Sequence, residues 1–148
     1  MQNQTEQRSF ETVMAVIRIT SMLLAVYWLA IFIATHLPGR ALPSVGSDKF
    51  YHLVAFGGLG LLLSWAMWLR VRDLRVHAVL VLTVSILYAC FDEWSQQFVV
   101  GRHPDMLDAV ADAIGALAGW CAFQTARMIL SKLHLNGLND KIREAPQA

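Results

Sequence analysis

Charged residues along the chain are interrupted by long apolar stretches. Residues 19–39, 50–69, 76–91 and 113–126 contain no Asp, Glu, Lys or Arg. A helix rises 1.5 Å per residue, so about 20 mostly apolar residues cross the hydrocarbon of a bilayer. The first two stretches meet that length as they stand. The fourth meets it when extended back to Leu107, which takes in Asp108 and Asp112. The third is short, and spans only if its helix runs past Phe91 to about Gln97, carrying Asp92 and Glu93 with it. The pattern predicts an all-α integral membrane bundle of four transmembrane helices at about 13–36, 50–69, 76–97 and 107–128. Residues 13–130 then form one membrane domain, with cytoplasmic tails at 1–12 and 131–148.

Composition agrees with this reading. Of 148 residues, 56% are hydrophobic and 16% charged, with a mean hydropathy of +0.46. A soluble domain carries about 25% charged residues, so neither a disordered chain nor an ordinary water-soluble domain fits. The net charge of +1 gives no basic stripe for nucleic acid. The first apolar stretch is longer than a signal-peptide core and lacks a small-residue cleavage site after it, so it reads as retained. Cys90 and Cys121 fall on different helices and read as packing residues rather than a disulfide.

Charge placement orients the bundle. With four spans, the two termini and the 70–75 loop share a side that carries Arg8, Arg18, Arg70, Arg72, Arg75, Arg127, Lys132, Lys141 and Arg143. The opposite side carries only Arg40, Lys49 and Arg102. The positive-inside rule puts both termini in the cytoplasm. Trp65 and Trp68 then mark the inner interface and Trp94 the outer one. This orientation gathers six of the eleven acids, Asp48, Asp92, Glu93, Asp105, Asp108 and Asp112, at the outer mouth, where ionisable groups must be paired, hydrated or used.

Three segments build that mouth. In the first, Asp48 and His52 are i,i+4 neighbours, so the carboxylate can orient the imidazole for acid–base work. Ser47 can serve as N-cap, and Lys49 either holds a phosphate or snorkels to the headgroups. In the second, Asp92 pairs by spacing with Gln96, and Glu93 with Gln97. Adjacent acids project about 100° apart on a helix, so one of Asp92 and Glu93 faces a given pocket squarely. In the third, Asp105 suits an N-cap after Pro104, and Asp108, Asp112, Gly115 and Gly119 share one face. The small-xxx-small pattern at Gly115 and Gly119 invites a close helix neighbour, either within the chain or in a second copy. The acids on that face point into the bundle and need a cation, a proton, or a donor such as Arg102 or Lys49. Arg102, in the turn Gly101-Arg102-His103-Pro104, suits either a phosphate or a clamp on Asp108 or Asp112. His36, His77 and His134 fall outside the cluster and read as interfacial. Gly57-Gly58-Leu59-Gly60 lies inside a span, so it reads as helix packing and not as a nucleotide loop.

The order Asp48-Lys49-x-x-His52, Asp92-Glu93-x-x-Gln96, Arg102, Asp108, residue 112 and Gly115 resembles the VanZ-like membrane family. The likeness runs over about residues 47–119 and three spans. The family often has Asn where this chain has Asp112, which adds a potential negative charge. The resemblance implies a multi-pass protein of the bacterial cytoplasmic (inner) membrane and cell envelope. The family's namesake is linked to resistance to the glycopeptide teicoplanin.

Two readings follow. In one, the outer pocket recognises or acts on a phosphorylated or lipid-linked envelope precursor. His52, Asp48, Asp92 and Glu93 are then the candidate catalytic groups, and Lys49, Gln96 and Arg102 the candidate substrate ligands. Asp108 and Asp112 would hold a divalent cation such as magnesium, because hard carboxylate oxygens favour such ions. In the other, the polar cluster is an interhelical network in a non-catalytic scaffold or accessory subunit for envelope or polysaccharide assembly. The residues alone do not choose between enzyme and scaffold. A channel fits less well, because no matching acids reach the inner half.

Overall fold

The computed structural model describes residues 2–37, 48–68 and 70–144, excepting the side chains of residues 2, 3, 5, 6, 9 and 135–144. Its described residues form four helices: α1 (Gln2–Thr35), α2 (Asp48–Trp68), α3 (Leu74–Gln96) and α4 (Met106–Glu144). Each contains an apolar segment long enough to cross a membrane, at Phe10–Thr35, Asp48–Trp68, Leu74–Gln96 and Met106–His134. Both outer helices extend beyond the apolar segments, through residues expected to be tails. Helix α3 does continue through Asp92 and Glu93 to Gln96, which gives the third span its length.

Burial is distributed as lipid rather than water would require. Leu23, Val26, Leu29, Val79, Leu87 and Ile129 face outward. Thr35, His52, His77, Asp92, Glu93, Gln96, Asp108 and Asp112 are buried. Outside a bilayer protein the solvent is as apolar as leucine, so apolar side chains gain nothing by turning in, whereas polar groups must find partners inside. Cys90 and Cys121 are both free and exposed on the outer surface of the bundle, not packed within it.

Helices α2 and α4 form the central pair because glycine lets their backbones touch. A Cβ added to Gly119 would come within 2.0 Å of the Gly57 carbonyl oxygen. One added to Gly115 would meet the Leu53 carbonyl at 2.3 Å, and one on Gly60 the Ala116 carbonyl at 2.3 Å. The Gly115/Gly119 face is therefore filled by α2 of the same chain, which corrects the expectation that it could pair two copies. An aromatic layer joins the other helices at mid-bundle. Tyr88 of α3 stacks on Phe56 of α2 at 5.5 Å and takes Trp28 of α1 edge-on at 5.0 Å. Helix α1 is further tied to α2 by the Tyr27 hydroxyl, which donates to the Ala55 carbonyl at 3.0 Å.

The end bearing Trp68 is closed by a histidine that the sequence placed at an interface. His77 is fully buried. Its Nε2–H donates to the Ser64 carbonyl at 3.0 Å, and the Trp120 indole N–H donates to its Nδ1 at 3.2 Å. One nitrogen donates and the other accepts, so this imidazole is neutral and structural. Beside it, the Arg127 guanidinium lies 3.9 Å from the centre of the Trp68 ring, a cation–π contact.

Candidate functional site at the polar end of the bundle

The other end holds Asp48, Asp92, Glu93, Asp105, Asp108 and Asp112. Helix α4 starts there on Asp105, whose Oδ1 accepts the Leu107 N–H at 2.8 Å, as an N-cap should. Ahead of it Gly101 turns the chain with φ of 82°, a left-handed conformation that glycine adopts without strain. The N-cap expected at Ser47 lies outside the described residues.

Four sets of side-chain contacts then tie these segments together. His52 Nδ1 donates to Asp112 Oδ1 at 3.0 Å, joining α2 to α4 in a pair that is almost wholly buried. Lys49 Nζ donates to Asp105 Oδ2 at 2.7 Å and Asp108 Oδ1 at 3.1 Å. The Thr35 hydroxyl of α1 donates to Asp92 Oδ1 of α3 at 2.8 Å. Arg102 Nη1 donates to Asp48 Oδ2 at 3.2 Å, and its Nε to the Leu37 carbonyl at 3.4 Å. Asp105, outside the membrane-length segments, is held below the usual carboxylate range, first by the Lys49 hydrogen bond and then by the Leu107 N–H.

Several partners differ from those expected by spacing. His52 is oriented by Asp112 across the helix pair, while Asp48, its neighbour on α2, turns to Arg102. Arg102 therefore clamps neither Asp108 nor Asp112. Asp92 and Glu93 are both buried, although adjacent positions on a helix diverge by about 100°. The reason is that α3 has polar neighbours on two sides: Asp92 turns to Thr35 of α1, and Glu93 Oε2 accepts the Asp105 backbone N–H at 2.8 Å. Gln96 is buried and donates to Asp92 Oδ2 at 3.0 Å, as its spacing suggested. Gln97 donates to the Trp94 carbonyl instead of reaching Glu93.

Two residues at the end of α1, its last residue and the one that follows it, join the site without having been anticipated. Thr35 is one. His36 is the other: its Nε2 lies 2.9 Å from Ser95 Oγ, and its Nδ1 2.8 Å from the Phe32 carbonyl and 3.9 Å from Asp92 Oδ1. Nothing local marks them, since Thr-His after an apolar run reads as the edge of a membrane. Their partners lie on α3, 57 and 59 residues away in sequence.

A cavity of about 120 Å³ opens between α1 and α2 at this end. Asp48, His52, Arg102 and Thr35 supply its polar wall, and Ile31, Ala34, Tyr51 and Ala55 the rest. Lys49 lies elsewhere, on an apolar groove of about 310 Å³ between α2 and α4 lined by Phe50, Leu53, Leu107 and Ile114. Gln96 lines neither. Donor atoms of Asp48, His52 and Asp108 converge within 4.8 Å of one another, and so do those of His52, Asp92 and Glu93. His52 is common to both sets, whereas Asp112 supports it from behind.

A profile of the VanZ/LLP1 family matches residues 2–129 of the chain, which takes in the first three spans and most of the fourth. The chain belongs to the VanZ/LLP1 family. No curated protein and no solved structure matches it. The match to this VanZ/LLP1 profile begins near the start of α1, so the helix that supplies Thr35 and leads into His36 is part of the family domain.

Proposed function

We propose that this VanZ/LLP1 protein recognises a phosphorylated, lipid-linked envelope precursor at the outer face of the bacterial cytoplasmic membrane. The observation that carries the reading is the cavity between α1 and α2, whose polar wall holds the Arg102 guanidinium paired with Asp48, beside His52 and Thr35, and whose other wall is apolar. Such a site suits an amphiphile whose phosphate meets Arg102 while its chain lies against Ile31, Ala34 and Ala55. Arg102 uses two of its five N–H donors on Asp48 and Leu37, so further donors remain for a bidentate anion contact. At about 120 Å³ the cavity takes a phosphate-sized fragment, leaving any sugar or peptide outside the bundle. With both termini cytoplasmic, as the distribution of Lys and Arg suggests, the cavity faces outward. Engagement of such a precursor there would give this chain a route to altered susceptibility to teicoplanin-type glycopeptides.

The test is binding of a polyprenyl monophosphate by the protein in nanodiscs, with the parent polyprenol as control. Phosphate-dependent, saturable binding that weakens at least tenfold in Arg102→Ala, with the melting temperature retained, supports recognition. Equal affinity for the polyprenol contradicts it. If binding is absent and Arg102→Ala and His52→Ala lower thermal stability in step, the polar end is a scaffold network instead.

A further inference from the structure

We infer that His52, Asp92 and Glu93 form a divalent-cation site inside the bundle, deeper than the acids at the start of α4. The polar end is rich in carboxylates, and the two permanent cations among its described residues are already committed. Lys49 meets Asp105 and Asp108, and Arg102 meets Asp48. Among the described residues Asp92 and Glu93 hydrogen-bond only to neutral donors, the Thr35 hydroxyl, the Gln96 amide and the Asp105 backbone N–H, while His36 Nδ1, 3.9 Å from Asp92 Oδ1, hydrogen-bonds to the Phe32 carbonyl. Both acids are buried, at 0% and 6% exposure, where an uncompensated negative charge is costly.

A second observation points to a ligand. Glu93 Oε1 is buried and has no hydrogen-bond partner among the described residues, so no hydrogen bond from them offsets the desolvation of that oxygen. Donor atoms of Glu93, Asp92 and His52 already lie within 4.8 Å of one another. Ligands bound at about 2.0–2.2 Å sit roughly 3–3.5 Å apart around a tetrahedral ion, so small side-chain rotations close the set. His52 is also prepared for the role. Its Nδ1 donates to Asp112, which leaves the Nε2 lone pair as the metal donor. A carboxylate behind the ligating imidazole is the arrangement that fixes tautomer and ring orientation in metal sites. One imidazole and two carboxylates suit a first-row ion such as Mn2+ better than the all-oxygen cage preferred by Ca2+. The alternative convergence, Asp48 with His52 and Asp108, is less suited because Arg102 and Lys49 already balance its acids.

This inference stands apart from precursor recognition, because the metal can be titrated into protein carrying no lipid substrate. Purified protein in detergent, stripped with chelator, is titrated with Mn2+ and followed by electron paramagnetic resonance. The expected result is one Mn2+ per chain, electron spin-echo modulation from a directly bound histidine nitrogen, and a rise in melting temperature. Glu93→Gln and Asp92→Asn weaken binding tenfold or more, whereas Glu11→Gln, on the exposed start of α1, does not. Should either site variant fail to fold, the nitrogen coupling in the native chain still decides. Absence of saturable Mn2+ binding, binding without histidine coupling, or undiminished binding in a folded Glu93→Gln overturns the site.

Discussion

His52 on α2 and Asp112 on α4 meet at 3.0 Å, with the imidazole 3% and the carboxylate 0% exposed. The close approach of the two backbones at Gly115 and Gly119 brings these helices together just below the pair. Removing the acceptor leaves the buried His52 N–H unpaired, which costs about 1–3 kcal/mol, so Asp112→Ala should lower the melting temperature in detergent and membrane abundance. Asp112→Asn keeps an acceptor for the His52 N–H and should retain most of the stability. Equal destabilisation by both substitutions would show that the hydrogen bond is not what matters there.

The glycine contacts separate two substitutions that look alike. A Cβ at Gly57 finds its nearest neighbour, the Gly115 carbonyl, at an ordinary 3.6 Å, whereas one at Gly119 meets backbone at 2.0 Å. Alanine at Gly57 is expected to be neutral or to gain up to about 1 kcal/mol in helix propensity. Alanine at Gly119 is expected to cost about 1–3 kcal/mol as the helices are forced apart. Thermal unfolding of the two variants side by side checks this, and similar behaviour would refute the packing assignment.

His77 acts on stability alone. His77→Leu leaves the buried Trp120 N–H without its acceptor, which costs about 1–3 kcal/mol. Its melting temperature should fall while affinity for polyprenyl phosphate stays at the native value. Loss of affinity in a folded variant would mean that the two ends of the bundle are coupled.

Asp105 gives the polar end an acid-sensitive contact. Lys49 depresses its folded-state pKa, so its contribution to stability is complete above the ordinary carboxylate value of about 4. That contribution is lost as pH falls through the lower folded value. Melting temperature measured downward from pH 6 should decline below about pH 4 more steeply in the native chain than in Asp105→Asn. The effect is small, because both partners are partly exposed. Parallel curves would remove Asp105 as its source.

Much of the fold could be read from the sequence because spans follow from the absence of charge over about 20 residues. The inward face of α4 followed from the spacing of Asp108, Asp112, Gly115 and Gly119. The Asp92–Gln96 contact was equally legible, since it closes within one helical turn. Contacts between helices were less so. Asp48 and His52 look like a pair on α2, yet each prefers a partner from another segment, because a ring bounded by several helices offers shorter cross-chain contacts than its own helix. His77 carried no local mark of burial, as its partners Ser64 and Trp120 lie on α2 and α4. Thr35 and His36 were missed for the same reason.

The central claim is that an amphiphilic phosphate lies between α1 and α2 at the polar end. Photo-crosslinking places it most directly, using a polyprenyl phosphate with a diazirine near the headgroup, reacted in nanodiscs and mapped by mass spectrometry. The expected labels concentrate on Ile31, Ala34, Tyr51 and Ala55 and disappear when unlabelled polyprenyl phosphate competes. Labels spread over outward-facing residues such as Leu23, Val79 and Ile129, with no competable excess at the cavity, would contradict it.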